Sequence, residues 1–440
     1  MLTVEVIQRP SHLDQEPIQR FSLEQMTPQE LLFFHKDAIR VLRNCIVPEG
    51  IIYASEDLRF HHKFARDTFI SAFFLNEAHR LIPQDELWQR AKKAVINFWD
   101  HQLPNGQIPH ELKPYNGRDG RRKFYYRNGE YLVNDDSVDA TALALIVTPL
   151  FIETREEFEM LKPKADKALD WMVQNMNTYD GWLCYKYNNV NGGINNQTWM
   201  DSDGSIKWKS IRYPQDPIAA VEVQSYAWKA FRVWADLLPK KSEELKRKAL
   251  DLKQRFNEAF VFEDEKGVYL AHALDGNGRQ IRSLSINPGL ALWASFDGES
   301  VVDKEVIPSV VQRLVSSDMF DPNAGVSTFA NGHRQFDRHR YHSGPKIYWP
   351  VADYMAAYGM LSMGYEDEAK KVRSSVRIPI KFFKSFIEQY FWDKDGRLSY
   401  FNNGNGQKSC RNQTWTTTGF LWDSSLELPT IREKNSSLIT

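Results

Sequence analysis

Residues 217–260 read PIAAVEVQSYAWKAFRVWADLLPKKSEELKRKALDLKQRFNEAF, and this stretch sets the plan of the whole chain. Apolar residues recur at helical spacing in two runs, 217–238 and 241–260, which only two residues separate. Long polar segments, about 178–216 and 261–286, lie on either side. The stretch therefore predicts two helices with a short link between them and a long loop before and after.

The same unit recurs along the chain. Thr27, Pro28 and Glu30 form a capping box with proline at the first helical position, which predicts the start of the first helix. Further helical patterns cover 66–81, 84–102, 136–153, 155–177, 287–296, 303–316, 351–362, 365–391 and 413–427. The sequence thus predicts about twelve helices and few strands.

Long connections follow every second helix. They cover about 46–65, 103–135, 178–216, 261–286, 317–350 and 392–412. Because alternate connections of antiparallel helices lie at the same end, all six long loops should gather on one rim, where loops of this length usually carry function. The pattern favours an all-α fold, an (α/α)6 toroid barrel with its active site on the long-loop rim. We expect a single domain over 1–440 with a short N-terminal extension, about 1–26.

The composition favours a small, neutral partner. The chain has 56 Lys plus Arg and 57 Asp plus Glu, so it lacks the charge excess typical of proteins that bind nucleic acid or anionic membranes. Aromatic residues form 13% of the chain and often lie in polar segments, where they can stack against a ligand. Three distant cysteines show no zinc or disulfide spacing, and no signal peptide or membrane span is visible. These features predict a soluble, cytoplasmic protein.

The segment NNQTWMDSDGS, residues 195–205, contains a candidate general acid. Asp201 follows Trp199 and Met200, and such neighbours raise the pKa of a carboxyl so that it holds a proton near neutral pH. A lone Asp in a Gly- and Asn-rich loop is more often a turn residue, but these neighbours favour the acid. Glu222 and Tyr226 share one face of the next helix.

Two other loop-to-helix junctions carry carboxylates. Arg66 and Asp67 can either cap a helix and pair with each other, or grip two neighbouring sugar hydroxyls. Asp135, Asp136 and Asp139 match the DDxxD pattern of magnesium-dependent prenyl-diphosphate enzymes. No second metal-binding motif accompanies them, so helix capping is the preferred interpretation and no metal is expected.

The last two polar segments supply aromatic and histidine candidates. His342, Tyr348 and Trp349 precede one predicted helix, and the sequence Asn-Gln-Thr-Trp of 196–199 recurs at 412–415, ending in Trp415. His333, His339 and His342 cluster with arginines but lack a metal-ligand spacing. We interpret them as solvated or hydroxyl-binding histidines.

Five ordered segments resemble the glycogen-debranching-type amylo-alpha-1,6-glucosidases and their relatives among the (α/α)6 glycoside hydrolases, including glucoamylases and neutral invertases. The segments are ARDTFISA (65–72), NDDSVDATALAL (134–145), NQTWMDS (196–202) with PIAAVEVQSYAWKAF (217–231), YHSGPKIYWP (341–350) and NQTWTTTGFLW (412–422). The resemblance implies that Arg66 and Asp67 hold sugar hydroxyls, that Asp201 protonates the glycosidic oxygen, and that Glu222 acts beside it in binding the sugar. The predicted substrate-binding set also includes Asp139, Trp199, Gln224, His342, Trp349, Ser399 and Trp415.

One position departs from this pattern. In that superfamily the general base is a Glu in the loop before the last helix, and RLSYFNNGNG (397–406) places Ser399 there. An inverting hydrolase needs two carboxyl groups, roughly 6.5 to 9.5 Å apart, on opposite faces of the sugar. Either the loop alignment is off by a few residues, or another carboxylate, such as Glu222, Asp139, Asp393 or Asp395, supplies the base.

The carboxylate and aromatic residues indicate a glycoside-processing enzyme, and the resemblance implies an inverting hydrolase of an α-glucoside or short α-glucan. Sucrose, glucosylglycerate, trehalose and short maltooligosaccharides all remain open as substrates. Two alternative functions rank below hydrolysis. One is a phosphorylase that binds inorganic phosphate at Ser399, Lys408, Ser409 and Arg411, and the other is a barrel that only binds carbohydrate. Glycosyl transfer to water or phosphate requires no cofactor, and the sequence indicates no oligomeric state.

Overall fold

The computed structural model describes residues 23–115, 125–187, 193–202, 204–208, 212–331, 341–342, 344, 346–402 and 408–436. His333 and His339 of the predicted histidine cluster lie outside the described residues.

Twelve α-helices occur in the described part of the chain, as the sequence predicts. They are α1 (Pro28–Cys45), α2 (Ala65–Leu81), α3 (Asp85–Phe98), α4 (Ala140–Val147), α5 (Arg155–Thr178), α6 (Val221–Leu237), α7 (Ser242–Phe260), α8 (Asn287–Trp293), α9 (Ile307–Leu314), α10 (Pro350–Ser362), α11 (Glu366–Phe383) and α12 (Thr414–Ser436). The capping box is confirmed: the Glu30 N–H donates to Thr27 Oγ1, and the Thr27 N–H donates to Glu30 Oε2.

The long loops contain more β-structure than the sequence predicts. Short antiparallel strands form six small sheets among the described residues. They are β1 (Ile46–Val47), β2 (Ile51–Ile52), β3 (Lys63–Phe64), β4 (Glu111–Pro114), β5 (Tyr126–Asn128), β6 (Tyr131–Asn134), β7 (Ala219–Ala220), β8 (Val261–Asp264), β9 (Gly267–Leu270), β10 (Ala273–Leu274), β11 (Gln280–Ile281), β12 (Phe320–Asp321), β13 (Gly325–Val326), β14 (Ile347–Tyr348), β15 (Tyr390–Trp392) and β16 (Leu398–Tyr400). The prediction of few strands was wrong because ladders of two to four residues are too short to leave a periodic pattern. They satisfy backbone groups that the loops would otherwise leave unpaired.

The even-numbered helices contact one another in a cycle. α2 packs on α4, α4 on α6, α6 on α8, α8 on α10, α10 on α12, and α12 on α2. Each odd-numbered helix packs against one of them: α1 on α12, α3 on α2, α5 on α4, α7 on α6, α9 on α8, and α11 on α10. The result is an inner set of six helices covered by an outer set of six.

Burial follows this division. Every residue of α4 and α8 is buried, as expected for helices that other helices surround. α7 instead buries one stripe, Leu245, Ala249, Leu252, Phe256 and Phe260, and exposes the rest to water. The inner helices therefore form the centre of the hydrophobic core.

The end of α11 differs from the prediction in a way that affects the site. The helical pattern at 365–391 continues past the true end, because Phe383, Ile387 and Tyr390 keep helical spacing. In the structure α11 ends at Phe383, and Lys384 takes a left-handed conformation (φ 48°, ψ 45°). Residues 384–389 consequently form a loop that leads into β15.

Candidate active site

A cavity of about 420 Å³ opens where α2, α10 and α12 begin, and we call it the active-site cavity. Its volume lies within the range typical of small-molecule sites. The structure brings seven predicted site residues into its wall: Arg66, Asp67, Trp199, Asp201, His342, Trp349 and Trp415. Sequence motifs separated by up to 349 positions therefore converge on one cavity.

Asp201 lies beside a buried arginine. Arg66 NH1 is 3.1 Å from Asp201 Oδ2, and Arg66 Nε is 2.8 Å from Asp139 Oδ2. Burial raises the pKa of Asp201, while the positive charge of Arg66 opposes that rise. The Asp201 side chain keeps 32% of its surface exposed, so this carboxyl can both hold a proton and reach a ligand.

Asp67 is a second carboxyl of the cavity wall. Burial raises its pKa to about 7, with Arg66 lowering it and the charges of Glu388 and Asp201 raising it. The Gln413 amide donates to Asp67 Oδ1 at 3.1 Å and so fixes the carboxyl. The arrangement leaves the other oxygen of Asp67 available to accept from a hydroxyl.

Glu388 is the third carboxyl of the wall, and the sequence interpretation missed it. Its Oε2 accepts the Cys410 N–H at 2.9 Å, and the Tyr341 hydroxyl donates to it as well. Burial raises the pKa of Glu388 to about 7. The predicted helix 365–391 concealed this residue, although the run FIEQYFW offers the signal that pointed to Asp201, a carboxyl among aromatic residues.

Ser399 and its neighbours lie outside the active-site cavity. The Ser399 hydroxyl donates to Asp393 Oδ2 at 3.0 Å within the β15–β16 hairpin. Asp393 Oδ1 also accepts the N–H groups of Asp395 and Arg397, both at 2.9 Å. These residues shape a turn, and neither aspartate belongs to the cavity wall.

The residues predicted to bind phosphate separate in the structure. Lys408 belongs to the cavity wall, whereas Arg411 is exposed and not part of the wall. Ser409 is buried and donates its hydroxyl to the Gln389 carbonyl at 2.8 Å. Only one of the four predicted phosphate ligands therefore reaches the cavity.

Glu222 and Asp139 support the wall from behind. Glu222 is fully buried, and its Oε2 accepts from the Asn287 amide at 2.9 Å. Asn287 Oδ1 in turn accepts the Trp199 indole N–H at 3.1 Å. Burial raises the pKa of Glu222 to about 8, which keeps this carboxyl largely neutral at pH 7. Asp139, also fully buried, reaches the cavity only through Arg66.

Gln224 has a local structural role. Its Oε1 accepts the Leu183 N–H at 3.0 Å, and its amide donates to the carbonyls of Leu183 and Ala220 at 2.8 and 3.2 Å. These bonds tie the preceding loop to the start of α6. Gln224 does not belong to the cavity wall.

Aromatic side chains form one side of the cavity. The rings of His342 and Trp349 stack at 4.5 Å, and Trp199 meets both edge-on at 5.6 and 5.9 Å. Trp415 continues the cluster 6.1 Å from Trp349. Within the described residues, the indole N–H groups of Trp349 and Trp415 and Gln413 Oε1 have no hydrogen-bond partner. An apolar wall with a few unpaired polar atoms suits a sugar ring.

His342 is a neutral member of this wall. Its Nδ1 accepts the Ser202 N–H at 3.3 Å and lies 4.0 Å from Asp201 Oδ1. Burial and the charge of Arg66 lower the pKa of His342 well below its usual value. Its Nε2 therefore carries the proton and can donate to a hydroxyl.

The described residues contain no group of His, Cys, Asp and Glu side chains arranged to hold a metal ion. Across the part of the chain that the structure describes, no helix has both the length and the apolar character that crossing a bilayer requires.

Comparison with known proteins places the chain in a family of carbohydrate enzymes. The sequence model of the amylo-alpha-1,6-glucosidase family matches residues 55–421. No curated protein matches the sequence significantly.

Several solved structures are similar in fold. The GH63 mannosylglycerate hydrolase of Thermus thermophilus in complex with Tris has a TM-score of 0.59 and 12% identity, covering 88% of this chain and 99% of its own. Its complex with glucose has a TM-score of 0.58 and 15% sequence identity, and the match covers 90% of this chain and 99% of that one. A wild-type glycosidase has a TM-score of 0.55 and 12% sequence identity, and the match covers 92% of this chain and 99% of that one. At this identity the likeness shows the fold.

Proposed function

Because the chain belongs to the amylo-alpha-1,6-glucosidase family, we propose that this glycosidase hydrolyses a small α-glucoside with inversion at the anomeric carbon. In this proposal Asp201 is the general acid and Glu388 the general base. Asp201 protonates the glycosidic oxygen as the bond to the anomeric carbon breaks. Glu388 takes a proton from the water molecule that attacks the opposite face of the sugar.

The observation that carries the proposal is the presence of Glu388 in the same cavity wall as Asp201. The described wall contains three carboxyls. In this proposal Asp201 is the acid and Asp67 holds a sugar hydroxyl, which leaves Glu388 for the base. The other candidates for the base lie elsewhere: Glu222 and Asp139 are fully buried behind the wall. Glu388 therefore supplies the carboxylate that was expected at Ser399.

The fold supports the same interpretation. The cycle of contacts from α2 through α12 and back to α2 is what a closed (α/α)6 barrel requires. Arg66, Trp349 and Trp415 all lie at the beginnings of inner helices or immediately before them. The active site of the proposed barrel then occupies the rim of long loops.

Two further observations support a small substrate. The active-site cavity, about 420 Å³, is of a size for a short ligand and not for a long polymer chain. The similar solved structures include a hydrolase described as acting on mannosylglycerate and crystallised with glucose. The family description, amylo-alpha-1,6-glucosidase, supports an α-glucosidic bond in the substrate.

The test is hydrolysis of a panel of α-glucosides, including isomaltose, trehalose, sucrose and glucosylglycerate, with the first product followed by NMR. Inversion predicts that β-glucose appears first. Asp201→Asn and Glu388→Gln should each lower kcat by about 10²- to 10⁴-fold, while sugar binding persists. Asp353→Asn is the matched control, because Asp353 is a buried carboxyl outside the described cavity wall.

α-Glucosyl fluoride separates the two roles. Fluoride leaves without needing a full proton, so Asp201→Asn should regain much of its rate on this substrate, whereas Glu388→Gln should not. Release of α-glucose first, or full activity of Glu388→Gln, would refute the proposal. A requirement for inorganic phosphate, with formation of a sugar 1-phosphate, would instead establish the phosphorylase alternative with Lys408 at the phosphate.

A further inference from the structure

A second cavity of about 720 Å³ lies outside the active site, and we call it the arginine cavity. Its wall combines residues of the loop before α6 with residues of the loop between α7 and α8. The described wall contains Arg212, Arg279 and Arg282 and has no acidic residue. Trp208 and Tyr213 complete its aromatic part.

Two of the arginines are held in fixed positions. Arg279 donates through Nε and NH2 to Asp275 Oδ2 at 2.9 and 2.6 Å, and its guanidinium lies 5.2 Å from the Trp208 ring. Arg282 donates through Nε to Gln280 Oε1 at 2.8 Å and lies 5.2 Å from the Phe262 ring. A guanidinium that is already oriented loses less conformational freedom when it binds a ligand.

The two loops that form the cavity are joined to each other. The Gly276 N–H donates to the Gln215 carbonyl at 2.7 Å, and the Asn277 amide donates to Gln215 Oε1 at 2.8 Å. The loops approach so closely that a Cβ on Gly276 would lie 2.0 Å from the Asp216 carbonyl oxygen. These contacts therefore hold together the two loops that carry the arginines.

Positive charge exceeds negative charge in the arginine cavity. Asp275 compensates Arg279, but neither Arg212 nor Arg282 forms an ion pair with a carboxylate in the described part of the chain. Charge-assisted bonds from guanidinium groups are strongest to phosphate and carboxylate oxygens. The surplus charge favours an anionic ligand.

The aromatic residues support an anion over a neutral sugar. Arg279 lies over the Trp208 ring, and the Lys207 ammonium lies 4.4 Å from the centre of the Tyr213 ring. One face of each ring is thus occupied by a cation, so both rings help to position positive charge. We infer that the arginine cavity binds the phosphate group of a small soluble molecule, of which a sugar phosphate is the simplest example.

The test is isothermal titration of the protein with inorganic phosphate and with glucose 6-phosphate at constant ionic strength. Saturable binding is expected. The double variant Arg212→Gln, Arg282→Gln should weaken it about tenfold or more, the effect of losing charge-assisted bonds. These two residues are chosen because neither has a buried carboxylate that its removal would leave unpaired.

Three comparisons make the result specific. Arg255→Gln should leave affinity unchanged, because Arg255 is also stacked, 4.9 Å from the Trp182 ring, but lies outside the arginine cavity. Asp201→Asn should bind phosphate as the wild type does, so this test does not depend on the proposed hydrolysis. Vesicles of phosphatidylcholine with phosphatidic acid should bind no better than phosphatidylcholine alone.

The inference fails if neither phosphate compound gives saturable binding, or if the double variant binds as tightly as the wild type. Loss of phosphate binding in Lys408→Gln would place the anion in the active-site cavity instead. Binding only to the vesicles that contain phosphatidic acid would replace the soluble ligand by a lipid headgroup.

Discussion

At the scale of single residues, the three carboxyls of the active-site cavity differ in what offsets the cost of burying their charge. Asp201 has the guanidinium of Arg66 beside it. Asp67 has the Gln413 amide, and Glu388 has a backbone N–H and the Tyr341 hydroxyl. The charge of Arg66 also lowers the pKa of Asp67, but burial is the larger effect and raises the pKa of both Asp67 and Glu388 to about 7.

The raised pKa of Glu388 predicts the acidic limb of the activity profile. A general base acts only when ionised, so kcat/KM should fall about tenfold per pH unit below a pH of about 7. Initial rates between pH 4.5 and 9 measure this limb. Asp67→Asn serves as the control and should retain the limb, although sugar binding weakens. A profile that stays flat down to pH 5 would contradict the assignment of the base to Glu388.

Glu222 predicts an effect of pH on stability. Its pKa is about 8 in the folded protein against 4.5 as the ordinary value, so between these values the folded state binds more protons than the unfolded state. Its contribution to stability is complete below pH 4.5 and is lost as the pH rises through about 8. Glu222→Gln has no carboxyl to ionise, so this variant does not lose stability in this way as the pH rises.

The free energy of unfolding of the wild type, relative to Glu222→Gln, should therefore fall between pH 5 and 8, by at most about 1.4 kcal/mol per pH unit. Urea titrations at several pH values give the difference. Parallel pH dependences of the two proteins would show that Glu222 is ionised throughout.

The sequence alone singled out Asp201, which the structure places in the cavity wall, because the aromatic neighbour and polar loop that drew attention to it are contiguous with it. The hydrogen bonds from Trp199 to Asn287 and from Asn287 to Glu222 were not predictable. They join three parts of the chain that only the fold brings together. Glu388 was missed for another reason: its neighbours keep helical spacing beyond the end of a helix.

At the scale of elements, the inner helices depend on glycines at their crossings. A Cβ on Gly359 of α10 would lie 2.5 Å from the Trp293 backbone nitrogen and 2.6 Å from the Leu292 carbonyl carbon, both in α8. Backbone atoms cannot move aside as the end of a side chain can. α8 and α10 can approach this closely only because Gly359 has no side chain.

Gly359→Ala should therefore destabilise the protein by about 1–3 kcal/mol, the usual cost of inserting a methyl group into a packed core. The midpoint of urea unfolding measures the loss. Ser362→Ala, three residues later on the exposed end of α10, is the control and should stay within about 0.5 kcal/mol of the wild type. Equal stability of the two variants would show that the crossing tolerates a separation of the helices.

Helices proved easier to predict than the boundaries around them. Long amphipathic helices such as α5 and α7 carry a clear apolar stripe. α6 begins four residues later than predicted, at Val221, because Ala219 and Ala220 pair with β10 instead. Such pairing depends on a partner from another part of the chain, which local periodicity does not report.

At the scale of the whole molecule, the alternation of long and short connections was the most informative pattern. It predicted twelve helices, which the described part of the chain contains, and loops meeting at one rim, and seven of the predicted site residues line one cavity. What the pattern could not supply was the packing of outer on inner helices. Buried ion pairs such as that between α11 and α12 are part of this packing.

Asp423 of α12 is fully buried and binds both Arg373 and Arg377 of α11, with its Oδ2 2.6 Å from Arg377 Nε. Asp423→Asn leaves two buried guanidinium groups with Glu427, at 3.3 and 3.4 Å, as their remaining carboxylate partner, and should cost about 3 kcal/mol. The site is eight residues beyond Trp415, about 12 Å along the helix, so KM should not change. Thermal unfolding and steady-state kinetics test both parts. A loss below 1 kcal/mol, or a changed KM, would contradict them.

The shared direction of the inner helices has an electrostatic consequence. α2, α6 and α10 begin near the active-site cavity, and each has a buried acid in its first turn, Asp67, Glu222 and Asp353 respectively. Aligned peptide dipoles place a partial positive charge at a helix N-terminus. Helices that point the same way around one centre add these charges instead of cancelling them. The inner helices thus add partial positive charge at one end of the structure, and this charge opposes part of the rise in pKa that burial imposes on the three acids.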